Sequence, residues 1–222
     1  MNKIKNILTD YLSFPKYLMM HPFDGYDEFK TEKKGKLSVA IVFIALFALL
    51  RILTYQYESF LINERNPMLI NNLQEIFVVG LLVILFVTAN WSVTTLMEGK
   101  GKFKEILMVT GYALFPIIII GYPALLISNF LTLDEMAFYT LAVGVAYFLT
   151  GWMLFMGILN IHQYGLLKTI MAFLATVVSM MVMMFLGLLF FDVIQQIISF
   201  ISAIIEELGL RRWYLLKNII LN

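Results

Sequence analysis

Long runs without charged side chains are the feature that most constrains this chain. A helix needs about 20 mostly apolar residues to cross a bilayer, and its backbone polar groups must be bonded internally. Four such runs are residues 76–97, 106–133, 136–167 and 169–191. A fifth run, 37–50, reaches spanning length if its helix continues past Arg51 to Tyr57, because an arginine near a helix end can extend to the headgroups. The sequence therefore predicts five transmembrane helices.

The composition agrees with a lipid environment. Hydrophobic residues make up 61% of the 222 residues and charged residues 14%, whereas a soluble domain is about a quarter charged. A disordered chain is excluded for the same reason. The chain has no cysteine, so it has neither disulfides nor thiolate metal ligands. Its net charge of +1 argues against nucleic-acid binding.

The basic residues predict the orientation. Lysine and arginine accumulate in the short cytoplasmic loops of membrane proteins. Here seven lysines precede the first span, three more lie in the second connection and Lys168 lies in the fourth. The opposite side carries only five basic residues. We therefore expect a multi-pass protein of the cell membrane with a cytoplasmic amino terminus and an extracytoplasmic carboxyl terminus. Residues 1–36 also lack the apolar core of a secretory signal.

An amphipathic pattern opens the chain. Apolar residues recur at helical spacing on one face, at Ile4, Ile7, Leu8, Tyr11 and Leu12. We interpret residues 1–36 as a cytoplasmic segment whose helix lies on the membrane and ends at Pro15. The alternative is a cap packed on the cytoplasmic loops.

A second amphipathic pattern closes the chain over residues 192–222. Its apolar stripe consists of Ile194, Ile197, Ile198, Ile201, Ile204, Ile205 and Leu208. Gly209 breaks the pattern before Trp213 and Tyr214, which suit an interfacial anchor. This segment either lies on the outer leaflet or docks into a neighbouring membrane protein, as a helix does in a groove. Ile194, Ile197, Ile201, Trp213 and Tyr214 are the predicted contact residues.

The spans offer little chemistry. Their central portions contain no Asp, Glu, Lys or His, and the chain has no zinc-protease, nucleophile-elbow or phosphate-loop motif. His21 and His162 are interpreted as unrelated loop histidines rather than a metal pair. We therefore predict no catalytic residue, no cofactor and no metal site, and expect a non-enzymatic protein.

The third span is the irregular one. Pro116 and Pro123 each remove a backbone hydrogen bond, which favours a tilted helix. Broken helices form binding sites in some transporters, so a small permease or channel using this span is the alternative function. In the fourth span Gly144, Gly151 and Gly157 are interpreted as helix contacts.

One stretch resembles a known family. The motif consists of Gly99-Lys100-Gly101-Lys102-Phe103 followed by Tyr112 and Pro116 in the third span. This Gly-x-Gly-x-Phe turn and Tyr-x-x-x-Pro pattern is similar to that of the Yip1 domain family, over about residues 20–190. The resemblance implies five spanning helices over residues 37–191, with Gly99, Gly101, Phe103, Tyr112 and Pro116 shaping the domain.

The short form resembles bacterial members of that family, which are often encoded beside transporter components. The resemblance implies a membrane adaptor or accessory subunit without chemistry of its own. Its expected partners are the lipid bilayer and other integral membrane proteins, among them permease subunits of an ABC-type transport complex.

Overall fold

The structure of the chain, a computed structural model, describes residues 9–63, 66 and 69–220, and side chains as far as Leu210. This part of the chain is helical and contains no strand. Thr9–Ser13 forms a π-helical turn and Leu133–Glu135 a 3-10 turn. The α-helices are α1 (Phe14–Met20), α2 (Pro22–Thr31), α3 (Leu37–Tyr57), α4 (Asn72–Leu96), α5 (Phe103–Ala113), α6 (Phe115–Ser128), α7 (Met136–His162) and α8 (Leu166–Ile220).

Among the described residues, five helical segments are long and apolar enough to cross a membrane, which confirms the predicted all-α membrane fold. They are Leu37–Tyr57, Asn72–Leu96, Phe103–Ser128, Leu133–His162 and Leu166–Leu210. The helix of the first segment does continue past Arg51 to Tyr57, as its length required. The third segment is the most buried of the five, because it packs against α3, α4 and α7.

The third crossing is broken at one proline and not at the other. Between α5 and α6, Leu114 separates the two helices, and Pro116 lies in the first turn of α6. Proline fits a first turn because the amide hydrogen that it lacks would have no partner there. Pro123 lies inside α6, which continues to Ser128. A tilt was predicted at both prolines; the helix is interrupted at Leu114, two residues before Pro116, whereas Pro123 does not interrupt it.

The chain forms two compact units, residues 1–179 and 180–222. The core of the first unit is built mainly from α2, α3, α5 and α7, and Tyr26, Phe43, Tyr112 and Met153 are among its fully or almost fully buried members. Apolar side chains on the outside of these helices remain exposed, as expected for surfaces that face lipid.

The amino-terminal residues that are described pack against the bundle. Leu18 of α1 and Tyr26 and Phe29 of α2 are buried in the core. Tyr11 places its ring edge-on against Phe43 at 6.4 Å. Residues 9–31 thus pack on the helix bundle, and we call this segment the cap. Pro15 begins a helix, α1, rather than ending one, so that prediction is wrong. Ile4, Ile7 and Leu8 lie outside the described residues.

The second unit consists of the carboxyl-terminal part of α8. Its helix continues through Gly209, so the break in the apolar pattern there is not a break in the backbone. Between Met180 and Leu210 no described side chain is buried. Trp213 and Tyr214 lie beyond the residues whose side chains are described.

Candidate functional site

The glycine turn between α4 and α5 is held by backbone hydrogen bonds. The Gly99 amide donates to the Thr94 carbonyl at 2.7 Å. Glu98 takes a left-handed conformation, with φ of 59°. At the start of α5, the Glu105 carboxylate accepts a hydrogen bond from the Lys102 amide at 2.9 Å, which satisfies one of the free donors at a helix start. The turn therefore has one fixed backbone shape.

The two motif glycines make room for one histidine. His162, at the end of α7, is 1% exposed, and its Nδ1 accepts a hydrogen bond from the Gly101 amide at 3.2 Å. A Cβ on Gly101 would lie 2.7 Å from His162 Cε1. A Cβ on Gly99 would lie 2.6 Å from the Tyr164 hydroxyl and would also clash with the His162 ring. The glycines are thus required by the close approach of α7 to this turn.

Tyr164 joins the same contact from the α7–α8 connection. Its ring stacks on that of His162, with centroids 5.2 Å apart. Its hydroxyl donates to the carbonyls of Thr94 and Met97, at 3.2 and 3.1 Å. Thr94 lies in the last turn of α4, where carbonyls lack a partner in the helix, and Met97 directly follows it; the Thr94 carbonyl also accepts from the Gly99 amide. Tyr164 therefore caps α4 from a connection some 70 residues further along the chain.

Three lysines surround this connection. Lys100 donates to Gln163 Oε1 at 2.8 Å, the Lys30 ammonium donates to the Ile161 carbonyl, and the Lys168 ammonium lies 4.6 Å from the centre of the Tyr164 ring. Burial lowers the pKa of Lys30; the Glu105 carboxylate opposes this shift and the charge of Lys100 adds to it. Three of the lysines that were used to predict the orientation therefore also make contacts that hold the cap, the glycine turn and the α7–α8 connection together.

Tyr112 lies at the centre of an aromatic cluster. Its ring meets those of Phe14, Phe29 and Phe43 edge-on, at 5.2 to 6.1 Å. Its hydroxyl accepts a hydrogen bond from the Lys36 amide at 3.2 Å, where α3 begins. The cluster joins α1, α2, α3 and α5, so Tyr112 connects the cap to the spanning helices.

The other motif residues also lie at contacts between elements. Phe103 meets Trp91 edge-on at 6.1 Å, which joins the start of α5 to α4. Pro116 is buried at the α5–α6 junction. The five motif residues therefore pack at different contacts between elements, and they do not converge on a common space.

Inter-helix contacts were predicted for the glycines of the fourth span, and only one makes such a contact. Gly157 lies against Val109 and Tyr26, which leave no room for a Cβ. At Gly144 and Gly151 a Cβ would meet no heavy atom of another described element within 4 Å. Those two predictions are wrong for contacts within this chain, because both glycines face outward.

A second polar region lies near the opposite ends of the spans. A cavity of about 290 Å³ is lined by α3, α6 and α7. Arg51 lines it and forms an ion pair of 3.6 Å with Glu75 in the first turn of α4. Glu58 also lines it and accepts a 2.6 Å hydrogen bond from the Tyr139 hydroxyl. Gly121 of the broken third crossing forms part of the wall.

The described residues contain no group of three side chains suited to hold a metal ion. His21 stacks on Tyr17, with centroids 5.2 Å apart, whereas His162 packs in the glycine turn. The structure thus places the two histidines in different environments.

Sequence reasoning missed two features of these regions. The contact of His162 with the motif glycines joins positions 61 residues apart, and no local pattern marks it. The second feature is the cavity lined by Arg51 and Glu58; Glu58 follows Arg51 by seven residues, a spacing that places both on one side of α3. This spacing was the available signal for the charged cavity.

Comparison with known protein families gives a match over most of the chain. The family model of the Yip1 domain matches residues 16–205 of the chain, and this range contains the glycine turn, Tyr112 and His162. No curated protein and no solved structure matches the chain.

Proposed function

This chain belongs to the Yip1 domain family, and from that premise we propose that it is a non-enzymatic adaptor or accessory subunit that binds other integral membrane proteins. The observation that carries the proposal is the apolar face of α8 between Ile194 and Leu208. Ile197, Ile201 and Ile204 on this face are 42 to 53% exposed. An amphipathic helix of this kind is stable only when its apolar face is covered by lipid or by another protein.

The length of α8 supports a role beyond crossing the membrane. One crossing requires about 20 residues, and α8 has 55. The additional turns carry Gln195, Gln196 and Ser199 opposite the apolar face. Such a helix presents side chains to a groove in the way that peptide helices do.

The outward face of α7 favours protein over lipid as the covering partner. Ala137, Gly144 and Gly151 recur every seven residues and therefore lie on one stripe of the helix. Membrane helices use small residues where two backbones approach closely, whereas lipid chains do not require them. Because no other described element lies within 4 Å of a Cβ at either glycine, this stripe can accept a helix from another protein.

We infer that the partners are integral membrane proteins and that permease subunits of ABC-type transport complexes are the first class to examine. The orientation that accompanies this function has the lysine-rich cap in the cytoplasm and the end of α8 outside. The membrane concerned is the cell membrane.

The test is affinity purification from the native membrane in mild detergent, followed by mass spectrometry. Ile197→Glu with Ile201→Glu should abolish recovery of the partner. The matched control, Gln196→Glu with Ser199→Glu, adds the same charge on the polar face and should preserve it. A second pair compares Gly144→Ile with Gly80→Ile, because neither position has neighbours within the chain; only the first should weaken recovery. Purification of this chain alone would contradict the proposal.

A small permease is the second candidate, and the charged cavity beside α6 is the observation that favours it. Transporter sites occur at broken helices, and this cavity adjoins the helix that begins after the break at Leu114. Flux into liposomes that contain only this protein separates the two functions. Selective flux that is lost in Glu58→Gln supports the permease, and absence of flux supports the adaptor.

A further inference from the structure

The cavity beside α6 is a cleft between two helices that do not form a close pair. Both α3 and α7 pack against α6 and leave the space between them lined by all three helices. At its outer end the Tyr139 hydroxyl of α7 donates a hydrogen bond to Glu58, the residue that directly follows α3. Tyr147, half exposed on α7, lines the same cleft. The cleft is therefore closed by α6 on one side and by the Tyr139–Glu58 contact at its outer end, and it lies beside exposed apolar surface.

The lining changes in a fixed order along α3. Phe47 and Leu50 lie deepest, Arg51 and Thr54 follow, and Glu58 comes last. At 1.5 Å per residue, Phe47 lies about 15 Å from the end of α3 at Tyr57, which is half of a hydrocarbon core of about 30 Å. Glu58 lies about 10 Å beyond Arg51 on the same scale. From the membrane centre outward, the order is apolar surface, cation, anion.

We propose that this cleft binds a zwitterionic phospholipid, with an acyl chain on the apolar wall, the phosphate at Arg51 and the headgroup ammonium at Glu58. A phospholipid in a bilayer has its chain, phosphate and ammonium in this same order. Arginine is suited to phosphate because its guanidinium is a planar donor. Tyr139 lines the cleft beside Glu58, and its ring provides a face that attracts an ammonium group.

The balance of charge favours a zwitterionic over an anionic headgroup. Arg51 already has an anionic neighbour in Glu75, at 3.6 Å. Among the described residues Glu58 forms no ion pair. The phosphate of an anionic lipid would face one arginine and two carboxylates, and the lipid would have no cation to pair with Glu58. An ammonium supplies the missing counter-charge.

The volume limits how much of the lipid is held. Ligand sites usually have volumes of about 300–1,000 Å³, and this cleft has about 290 Å³. It therefore holds the headgroup and the upper part of one chain, while the remainder of the lipid stays in the bilayer. This inference does not depend on the adaptor function.

The test measures lipid retained by the purified full chain after incubation with equal amounts of phosphatidylethanolamine and phosphatidylglycerol, read by native mass spectrometry. We expect phosphatidylethanolamine to be retained about tenfold or more over phosphatidylglycerol, since a hydrogen bond to a charged group contributes about 1.5–3 kcal/mol. Glu58→Gln should bring this ratio close to one. Glutamine keeps an oxygen for the Tyr139 hydroxyl, so the helices remain joined.

The matched control is Glu32→Gln, which removes the same charge from the cap and should leave the ratio unchanged. Glycerophosphoethanolamine, which lacks the chains, should fail to displace the bound lipid at equal concentration. Equal retention of the two lipids by the unmodified chain would overturn the proposal, as would retention of neither. An unchanged ratio in Glu58→Gln, or displacement by the headgroup alone, would do the same.

Discussion

Substitution of Gly101 by alanine tests whether the glycine turn is fixed by its contact with His162. A Cβ there would lie 2.7 Å from His162 Cε1 and 3.0 Å from each ring nitrogen, whereas unstrained contacts between carbon atoms are about 3.5–4.0 Å. The ring cannot move away freely, because it is 1% exposed and stacked on Tyr164. No described glycine has a positive φ, so alanine brings no backbone strain at this position.

Three contributions determine how much Gly101→Ala changes the free energy of unfolding. Overpacking of a closed site costs about 1–3 kcal/mol. Displacement of the ring also weakens the Gly101 to His162 hydrogen bond, which contributes about 0.5–1.5 kcal/mol. Alanine also lowers the conformational entropy of the unfolded chain, which stabilises the folded state by about 0.4–1 kcal/mol. We expect Gly101→Ala to lower the free energy of unfolding by about 2 kcal/mol, a sum of these three effects.

The assay is reversible unfolding of the full chain in mixed micelles. Gly80→Ala is the matched control, because its Cβ would meet nothing within 4 Å; it should stabilise the chain by about 0.5–1 kcal/mol, as alanine does inside a helix. In a His162→Ala background the cost of Gly101→Ala should largely disappear, which gives a coupling energy of about 1–2 kcal/mol. A full cost in that background would refute the role assigned to His162.

Three further predictions concern the cap and the topology. Tyr112→Phe keeps the aromatic cluster and loses only the acceptor for the Lys36 amide, so it should cost about 1 kcal/mol in the same assay, whereas Tyr112→Ala should cost about 3–5 kcal/mol; equal costs would contradict the packing role. Hydrogen bonds from Lys34 and Tyr17 lower the pKa of Glu28 below its usual 4.5. These hydrogen bonds should therefore stabilise the folded chain at neutral pH, and this stabilisation should be lost as the pH falls through the lowered pKa of Glu28. Thermal melting followed from pH 7 to 3 should show a smaller loss in Glu28→Gln than in the unmodified chain. Since the chain has no cysteine, Lys33→Cys and Phe60→Cys can each be labelled singly; in intact cells an impermeant maleimide should reach only Phe60→Cys, and the reverse pattern would invert the orientation.

The two ends of the bundle differ in how much of their structure was predictable from sequence. At the lysine-rich end, the motif residues were recognised from sequence, but the reason for their identity was not. Gly99 and Gly101 are small because the ring of His162 packs against them. At the other end, Arg51 was noticed for its position in a span, whereas its pairing with Glu75 and the bridge from Glu58 to Tyr139 were not foreseen.

The spans themselves were determined by the sequence alone, because crossing a bilayer depends on local properties: the length of an apolar run and the absence of charge within it. The break near Pro116 is local in the same sense, since proline removes its own backbone donor. Only the tertiary structure decided that the amino-terminal segment packs on the bundle, that Gly144 faces outward while Gly157 is enclosed, and that a carboxylate meets a tyrosine 81 residues away. Each of these features depends on which helix faces pack against one another. That packing is determined jointly by residues that are distant in sequence.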